Sequence, residues 1–61
     1  MNQATFIITY EQGDATDEEI VVGFQELIDT GLVWKLQGNY GRMATRLIDE
    51  GYCTRPQHHH H

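Results

Sequence analysis

The chain has 61 residues, which is enough for one small domain and too few for two, and its formal net charge is −5. The last four residues, His58–His61, look like the remnant of a purification tag, so we expect the domain itself to span residues 1–57. Without them the chain contains no histidine and a single cysteine, Cys53, which excludes a disulfide within the chain and predicts no metal site and no cofactor.

The first segment, residues 2–12, is compatible with two structures. Its β-branched and aromatic residues favour a strand, but no second run of this kind can pair with it, so a strand would need another subunit. Phe6, Ile7 and Tyr10 also fit helical spacing. We favour a helix over residues 2–12 that ends at Gly13, and the alternative is a strand that pairs across a dimer.

The second predicted element is a helix over Asp17–Thr30. Residues 16–19 have the pattern of a capping box, in which the Thr16 hydroxyl accepts from the amide of Glu19 and the Glu19 carboxylate reaches back. Gly31 follows at the position where a left-handed glycine ends a helix. The apolar residues at helical spacing are Ile20, Val21, Phe24, Leu27 and Ile28.

The third element is an apolar connector, residues 32–37, which is too short for a full helix and too apolar for a solvated loop. We expect it to form a single helical turn or an extended crossover that places Leu32, Trp34 or Leu36 in the core.

The last predicted element is a helix that begins near Asn39, whose side chain can cap it, and ends at Gly51. The residues that recur on one face, at i, i+3, i+4, i+7 and i+8, are Tyr40, Met43, Ala44, Leu47 and Ile48.

These patterns together predict an all-α domain, a compact arrangement of three short helices with an aromatic connector before the last one. A chain of this length buries only about 60% of its unfolded surface, so its core is expected to be thin. The residues predicted to form that core are Phe6, Ile7, Tyr10, Ile20, Phe24, Leu27, Ile28, Leu32, Trp34, Leu36, Met43, Ala44, Leu47 and Ile48.

Charge is unevenly divided along the chain. Residues 11–29 contain seven acidic residues and no basic one, whereas residues 35–55 contain all four basic residues. One explanation is that acidic residues are favoured at the start of a helix. The other is that the two halves are complementary and dock between copies or onto a charged partner. No signal segment is present and no apolar run approaches the ~20 residues that span a membrane, so we expect a soluble cytoplasmic protein.

The string from Glu26 to Arg42, with the small and apolar positions that follow it up to Gly51, resembles a family of short uncharacterised proteins from tailed bacteriophages. Members look like an N-terminal segment ending in Tyr-Glu-x-Gly, here residues 10–13, then an acid-rich helix and a Leu-Gln-Gly-x-Tyr-Gly-Arg turn, here residues 36–42. The resemblance covers almost the whole untagged chain. It implies a phage origin and an all-helical domain, and it implies no activity and no catalytic residues.

The Gly-x-x-Gly turn at Gly38–Gly41 is the strongest candidate for a binding site. It leads into a helix whose free amides, with Arg42 and Arg46 on one face, can contact an anion or a nucleic-acid backbone, as in the KH module. The chain has no room for the sheet of that module. A single Gly-x-x-Gly also fits a tight turn that lets Trp34 pack closely.

The same residues also fit a protein contact. Trp34 and Tyr40 lie beside glycines, and aromatic residues and arginine dominate interface hot spots, although both rings also fit a core. The competing expectation for the two arginines is pairing with Glu26 or Asp29 on the neighbouring helix. The candidate interaction residues are Trp34, Gln37, Gly38, Tyr40, Gly41, Arg42 and Arg46.

No catalytic residue is predicted. The chain has no serine and no histidine before the terminal run, so no Ser–His or Cys–His pair can form. The acidic cluster in residues 14–19 lacks the spacing of an EF-hand and is explained by helix capping and solubility, or by mimicry of a nucleic acid. We expect a non-enzymatic accessory protein that contacts a host factor or a second copy of itself as a homodimer. The alternative is a module that contacts nucleic acid through residues 38–46, and no membrane partner is expected.

Overall fold

The computed structural model describes residues 2–56, and it confirms the predicted all-α class. Three short helices account for most of this range, and no strand occurs in it. The elements are α1 (Gln3–Glu11), α2 (Asp17–Thr30), a 3₁₀ turn (Leu32–Lys35) and α3 (Gly38–Asp49).

The first segment is a helix, so the alternative of a strand that pairs across a dimer is wrong. Asn2 caps α1, because its side-chain oxygen accepts a hydrogen bond from the amide of Thr5 at 2.8 Å. Gly13 adopts the left-handed conformation, with φ at 79°, just beyond the last turn. The β-branched residues of this segment favour a strand, but the helix places Phe6 and Tyr10 one turn apart, so that both rings pack against Phe24 of α2.

The second helix has the predicted bounds and the predicted capping box. The Thr16 hydroxyl accepts from the amide of Glu19 at 3.1 Å, and the Glu19 carboxylate accepts from the amide of Thr16 at 2.9 Å. Gly31 ends the helix in the left-handed conformation, with φ at 80°. Local sequence therefore specifies both ends of α2, which packs against α1, α3 and the 3₁₀ turn.

The connector forms a single helical turn, which is one of its two predicted forms, but the residue that it buries is Val33. Val33 is fully buried, Leu32 and Leu36 are partly buried, and Trp34 is 48% exposed. Successive residues of a 3₁₀ turn point about 120° apart, so only one of them can take the inward position. The prediction that Trp34 belongs to the core is wrong, because Val33 occupies that position.

The third helix begins two residues earlier than a cap at Asn39 would allow. Gln37 occupies the N-cap position without a side-chain hydrogen bond, and Asn39, the predicted cap, lies inside the first turn. Gly51 ends the helix with φ at 85°, as predicted. The amide of Cys53 then donates to the carbonyl of Leu47 at 3.1 Å, which turns the chain back toward the core.

Four aromatic rings form the centre of the core and join the three helices. Phe24 of α2 lies edge-on to Phe6 and Tyr10 of α1, at centroid distances of 5.7 and 5.2 Å. The same ring stacks on Tyr40 of α3 at 5.9 Å, and Tyr10 and Tyr40 lie 5.6 Å apart. Side chains from all three helices therefore meet at Phe24.

The buried core is smaller than the predicted set. The buried apolar residues are Phe6, Phe24, Leu27, Ile28, Val33, Tyr40, Ala44, Leu47 and Cys53. Predicted core residues that are only partly buried at its edge are Ile7, Tyr10, Ile20, Leu32, Leu36, Met43 and Ile48. Val33 and Cys53 were not predicted because both lie outside the α-helices, where helical periodicity assigns no inward face.

Two side-chain interactions hold Cys53 and Thr54, which follow α3, against α2. The amide group of Gln25 donates to the carbonyl of Thr54 and accepts from its amide, both at 2.9 Å. The thiol of Cys53 contacts the carbonyl of Val21 at 3.5 Å. This segment is therefore part of the packed structure.

Among the described residues, none of the helices combines the length and the apolar character that crossing a bilayer requires. The predicted tag, His58–His61, and the predicted domain end at residue 57 lie outside the described residues.

Gly23 on α2 marks the closest approach of α1, and its replacement tests this contact. A Cβ atom at this position would overlap the ring of Phe6, which is buried and packs against Tyr10 and Phe24. We expect Gly23→Ala to lower the free energy of unfolding by about 1–2 kcal/mol, although alanine is the better helix former by about 1 kcal/mol. Urea denaturation followed by circular dichroism measures the change.

Gly38→Ala is the matched control for this substitution. The nearest atom to a Cβ there is a nitrogen of the flexible Arg42 side chain, 3.7 Å away, so this variant should keep or raise the stability. A Gly23→Ala protein as stable as Gly38→Ala would contradict the close contact between Phe6 and α2.

Candidate functional site

One open depression on α3 brings together five of the seven predicted interaction residues. Positions 38, 41–42 and 45–46 recur at intervals of three and four residues, so α3 presents them on one face, and the 3₁₀ turn supplies the adjoining wall. We name this surface the Trp34 corner, and its members are Trp34, Gly38, Gly41, Arg42 and Arg46. The other residues that line the depression are Thr45, Asp49 and Glu50.

Trp34 presents about half of its side-chain surface to solvent. Its ring lies against Gly41, with two ring carbons 3.6 and 3.7 Å from the place where a Cβ atom of that residue would be. The backbone of α3 therefore supports one part of the ring while the rest contacts water. Contact with a partner would remove this apolar area from water.

The two arginines of the corner differ in their bonding. Arg46 donates from Nε to a carboxylate oxygen of Glu50 at 3.1 Å, and this is the one ion pair among the described residues. The predicted pairing of the arginines with Glu26 or Asp29 is wrong, because a partner one turn along α3 is reached without crossing to another helix. An exposed pair of this kind contributes less than about 1 kcal/mol, so Arg46 can readily change partner.

The start of α3 forms a polar edge of the corner. Gln37, a predicted interaction residue, is exposed at the N-cap but does not line the depression. Its side chain makes no capping hydrogen bond, so no side chain satisfies the first amides of α3. Gly38 begins the helix beside the side chain of Arg42. This edge therefore carries the partial positive charge of a helix start next to a cationic side chain.

Tyr40 is buried, so its prediction as a surface interaction residue is wrong. It is 2% exposed, and its hydroxyl donates to Oε2 of Glu11 at 2.7 Å. Burial, followed by this hydrogen bond and the charge of Glu11, raises the pKa of Tyr40 above its usual value. The protonated hydroxyl links α3 to the end of α1. Tyr40 belongs to the inward face of α3 with Ala44 and Leu47, opposite the face of the corner.

The sequence patterns did not indicate a second surface, which we name the α1–α2 groove. Phe6, Val22 and Gly23 form its apolar part, and its polar part combines three glutamates of α2 with Asn2 and Gln3. It encloses about 260 Å³, which is below the ~300–1,000 Å³ of ordinary small-molecule sites. The sequence contains one sign of this groove, an apolar Val22 that lies one helical turn from Glu18 and from Glu26. In the structure Val22 is 59% exposed.

The single thiol of the chain is a packing residue. Burial, and secondarily the charge of Asp29, raises the pKa of Cys53. Because the thiolate is the reactive form of cysteine, this environment disfavours nucleophilic chemistry. Within residues 2–56, no cluster of three or more histidine, cysteine, aspartate or glutamate side chains is arranged to hold a metal ion.

The hydrogen bond between Tyr40 and Glu11 gives a prediction about stability and pH. Tyr40→Phe should lower the free energy of unfolding by about 1–2 kcal/mol near neutral pH, because it removes a donor from a charged carboxylate. The pKa of Tyr40 is higher in the folded chain than in the unfolded one. Its contribution is therefore complete below the ordinary tyrosine pKa of about 10 and declines as the pH rises beyond it.

The stability difference between the wild type and Tyr40→Phe should accordingly shrink above about pH 10, which urea denaturation over a pH series measures. Tyr52→Phe is the control, because Tyr52 is exposed and its loss of a hydroxyl should leave the stability nearly unchanged. A difference that stays constant above that pH would contradict the raised pKa of Tyr40.

Comparison with protein families matches residues 2–59 to the family described as "Domain of unknown function (DUF7417)". Comparisons with curated proteins and with solved structures gave no match. The matched range contains all three helices, the Trp34 corner and the α1–α2 groove. The chain therefore belongs to the domain family of unknown function DUF7417.

Proposed function

We propose that the protein acts by contact with another protein through the Trp34 corner, and not by catalysis. The observation that carries this proposal is the half-exposed ring of Trp34, which lies on Gly41 beside two arginines. Tryptophan and arginine are among the residues most enriched in interface hot spots. A ring that is already packed on one side loses little conformational freedom on binding, which lowers the entropic cost of association.

The chemistry of the corner indicates what kind of surface it contacts. Arg42 makes no ion pair with the described residues, and Arg46 makes only an exposed one. Guanidinium groups bind carboxylates through paired hydrogen bonds, and the exposed indole favours an apolar recess. The partner is therefore an acidic surface with an apolar recess next to its carboxylates.

The side chains of the protein support a non-enzymatic role. It has no serine, and no histidine before the terminal run, and its only thiol is buried with a raised pKa. The resemblance of the Leu36–Arg42 turn to proteins of tailed bacteriophages supplies the setting. In this proposal the protein is a small phage accessory protein that binds a host factor in the cytoplasm of the infected cell.

A nucleic-acid partner is the alternative, and the start of α3 is the observation that favours it. The first amides of this helix have no side-chain cap, and Gly38 lies beside Arg42. Asp49 and Glu50 line the same depression, however. Affinity for a phosphate backbone depends on many cationic contacts, and the chain has four basic residues and a net charge of −5. A protein partner is therefore the better supported of the two.

A capture experiment tests the protein-contact role. Immobilised wild-type protein, incubated with a lysate of a bacterial host, is expected to retain one specific protein. Trp34→Ala should weaken this retention by about 30-fold, the size expected for a hot-spot residue. Tyr52→Ala is the matched control, because Tyr52 is also an exposed aromatic residue, at 62%, and lies outside the corner. Equal retention by the wild type and Trp34→Ala would show that the Trp34 corner does not bind the captured protein.

Chromatography on immobilised DNA and RNA decides the alternative. A nucleic-acid module would be retained at low salt and released as the salt concentration rises, and Arg42→Glu combined with Arg46→Glu would abolish the retention. We expect the wild type to pass through both columns. If the wild type is retained on either column and the double variant is not, the nucleic-acid role is supported and the protein-contact role is contradicted.

A further inference from the structure

The α1–α2 groove has an apolar floor, and its rim carries three glutamates of α2 beside the uncharged side chains of Asn2 and Gln3. Glu18 and Glu26 lie one turn before and one turn after Val22 on α2, and neither forms an ion pair with the described residues. Glu19, the third glutamate of the rim, is held by the capping box through Thr16. Two carboxylates therefore flank the exposed Val22 side chain, and no cation of residues 2–56 pairs with them.

The basic residues of the chain lie on other elements. Lys35, at the end of the 3₁₀ turn, is the first of them in the sequence, and the remaining three follow in α3 and the segment after it. Two of the four belong to the Trp34 corner, next to the exposed indole. The corner offers the indole and the guanidinium of Arg42, which has no ion pair with the described residues, although Asp49 and Glu50 line the same depression. The groove offers an apolar floor beside glutamates, so the indole and Arg42 complement it.

The size of the groove favours a side chain as its occupant. Its volume of about 260 Å³ is below the range of sites that enclose a whole small molecule, ~300–1,000 Å³. Its floor is formed by the Phe6 ring, by Val22 and by Gly23, which has no side chain to block access. An aromatic side chain flanked by cations matches both the floor and the rim.

We propose that the Trp34 corner of one copy docks in the α1–α2 groove of a second copy. The indole contacts Val22 and Gly23, and the arginines of the corner face Glu18 and Glu26. This inference rests on the proposed function, because it requires the corner to be a protein-contact surface, and it names a second copy of the chain as a partner for that surface.

Such a contact is heterologous, because the groove and the corner are different surfaces. Each pair of copies keeps one free groove and one free corner, so association continues beyond two copies unless a ring closes. Exposed charges form much of the contact, so added salt weakens it.

Sedimentation velocity of the full chain tests this inference, with a chelator present so that the terminal histidines bind no metal. As the concentration rises from about 10 µM to about 1 mM, the average mass should increase above the 7.0 kDa of one chain. Raising the salt from about 0.02 M to about 0.5 M should weaken the association at least tenfold, because the shorter Debye length screens the attraction between exposed charges. A mass that stays at 7.0 kDa at the highest concentration and lowest salt overturns the proposal.

Two variants, each with one damaged surface, identify the faces involved. Glu18→Lys combined with Glu26→Lys damages the groove, and Trp34→Ala combined with Arg42→Gln damages the corner. Each variant alone should remain a monomer. Their mixture contains one intact groove and one intact corner, so it should form a heterodimer of twice the 7.0 kDa chain mass and grow no further. Absence of this heterodimer, or self-association of either variant alone, overturns the proposal.

The groove variant requires a control for its change in net charge. Asp14→Lys combined with Asp29→Lys changes the charge by the same amount outside the groove, and it should associate at least as strongly as the wild type. Circular dichroism checks that every variant is helical. If the lysine substitutions in the groove unfold the chain, Glu18→Gln combined with Glu26→Gln replaces them and should weaken self-association about tenfold.

The outcomes separate this inference from the proposed function. A wild-type chain that stays monomeric but captures a host protein through Trp34 keeps the proposed function and refutes the self-docking. A chain that associates through the groove and the corner but captures nothing else supports the self-docking alone.

Discussion

The contact between Phe6 and α2 is the constraint on which the rest of the structure depends. Because Gly23 has no side chain, the Phe6 ring lies directly on the backbone of α2, and α1 comes close enough for Tyr10 to reach Phe24 and Tyr40. A chain of this size has little apolar area to bury, and it has no disulfide. The four rings therefore supply much of the area that holds the helices together, and the side chains left outside them form the surfaces available for binding.

Much of the fold could be predicted, because its signals are local. The capping box at Thr16 and the left-handed Gly31 specify the ends of α2 through neighbouring residues alone. The connector could not be read in this way. Whether Val33 or Trp34 points inward depends on how the turn is oriented against α2 and α3, and hydrophobicity favours the larger ring. The structure buries Val33, the smaller residue, and leaves Trp34 about half exposed.

The candidate site could be predicted where helical periodicity governs it and not where two elements meet. Gly38, Arg42 and Arg46 recur at intervals of four residues, so their common face on α3 follows from the sequence. The same periodicity places Tyr40 on the opposite face, which is why an aromatic residue beside a glycine was a misleading sign of a surface anchor. The α1–α2 groove depends on how closely two helices approach, and the exposed Val22 was its only trace in the sequence.

The fold does not require the exposed position of Trp34, and the proposed protein contact would account for it. Val33 already fills the inward position of the 3₁₀ turn, so a polar residue at position 34 would leave the core unchanged and would remove exposed apolar area. The indole packs against Gly41 of α3 and stays about half exposed. An aromatic ring that is packed on one side and exposed on the other suits the proposed contact, because it loses little entropy when a second surface covers it.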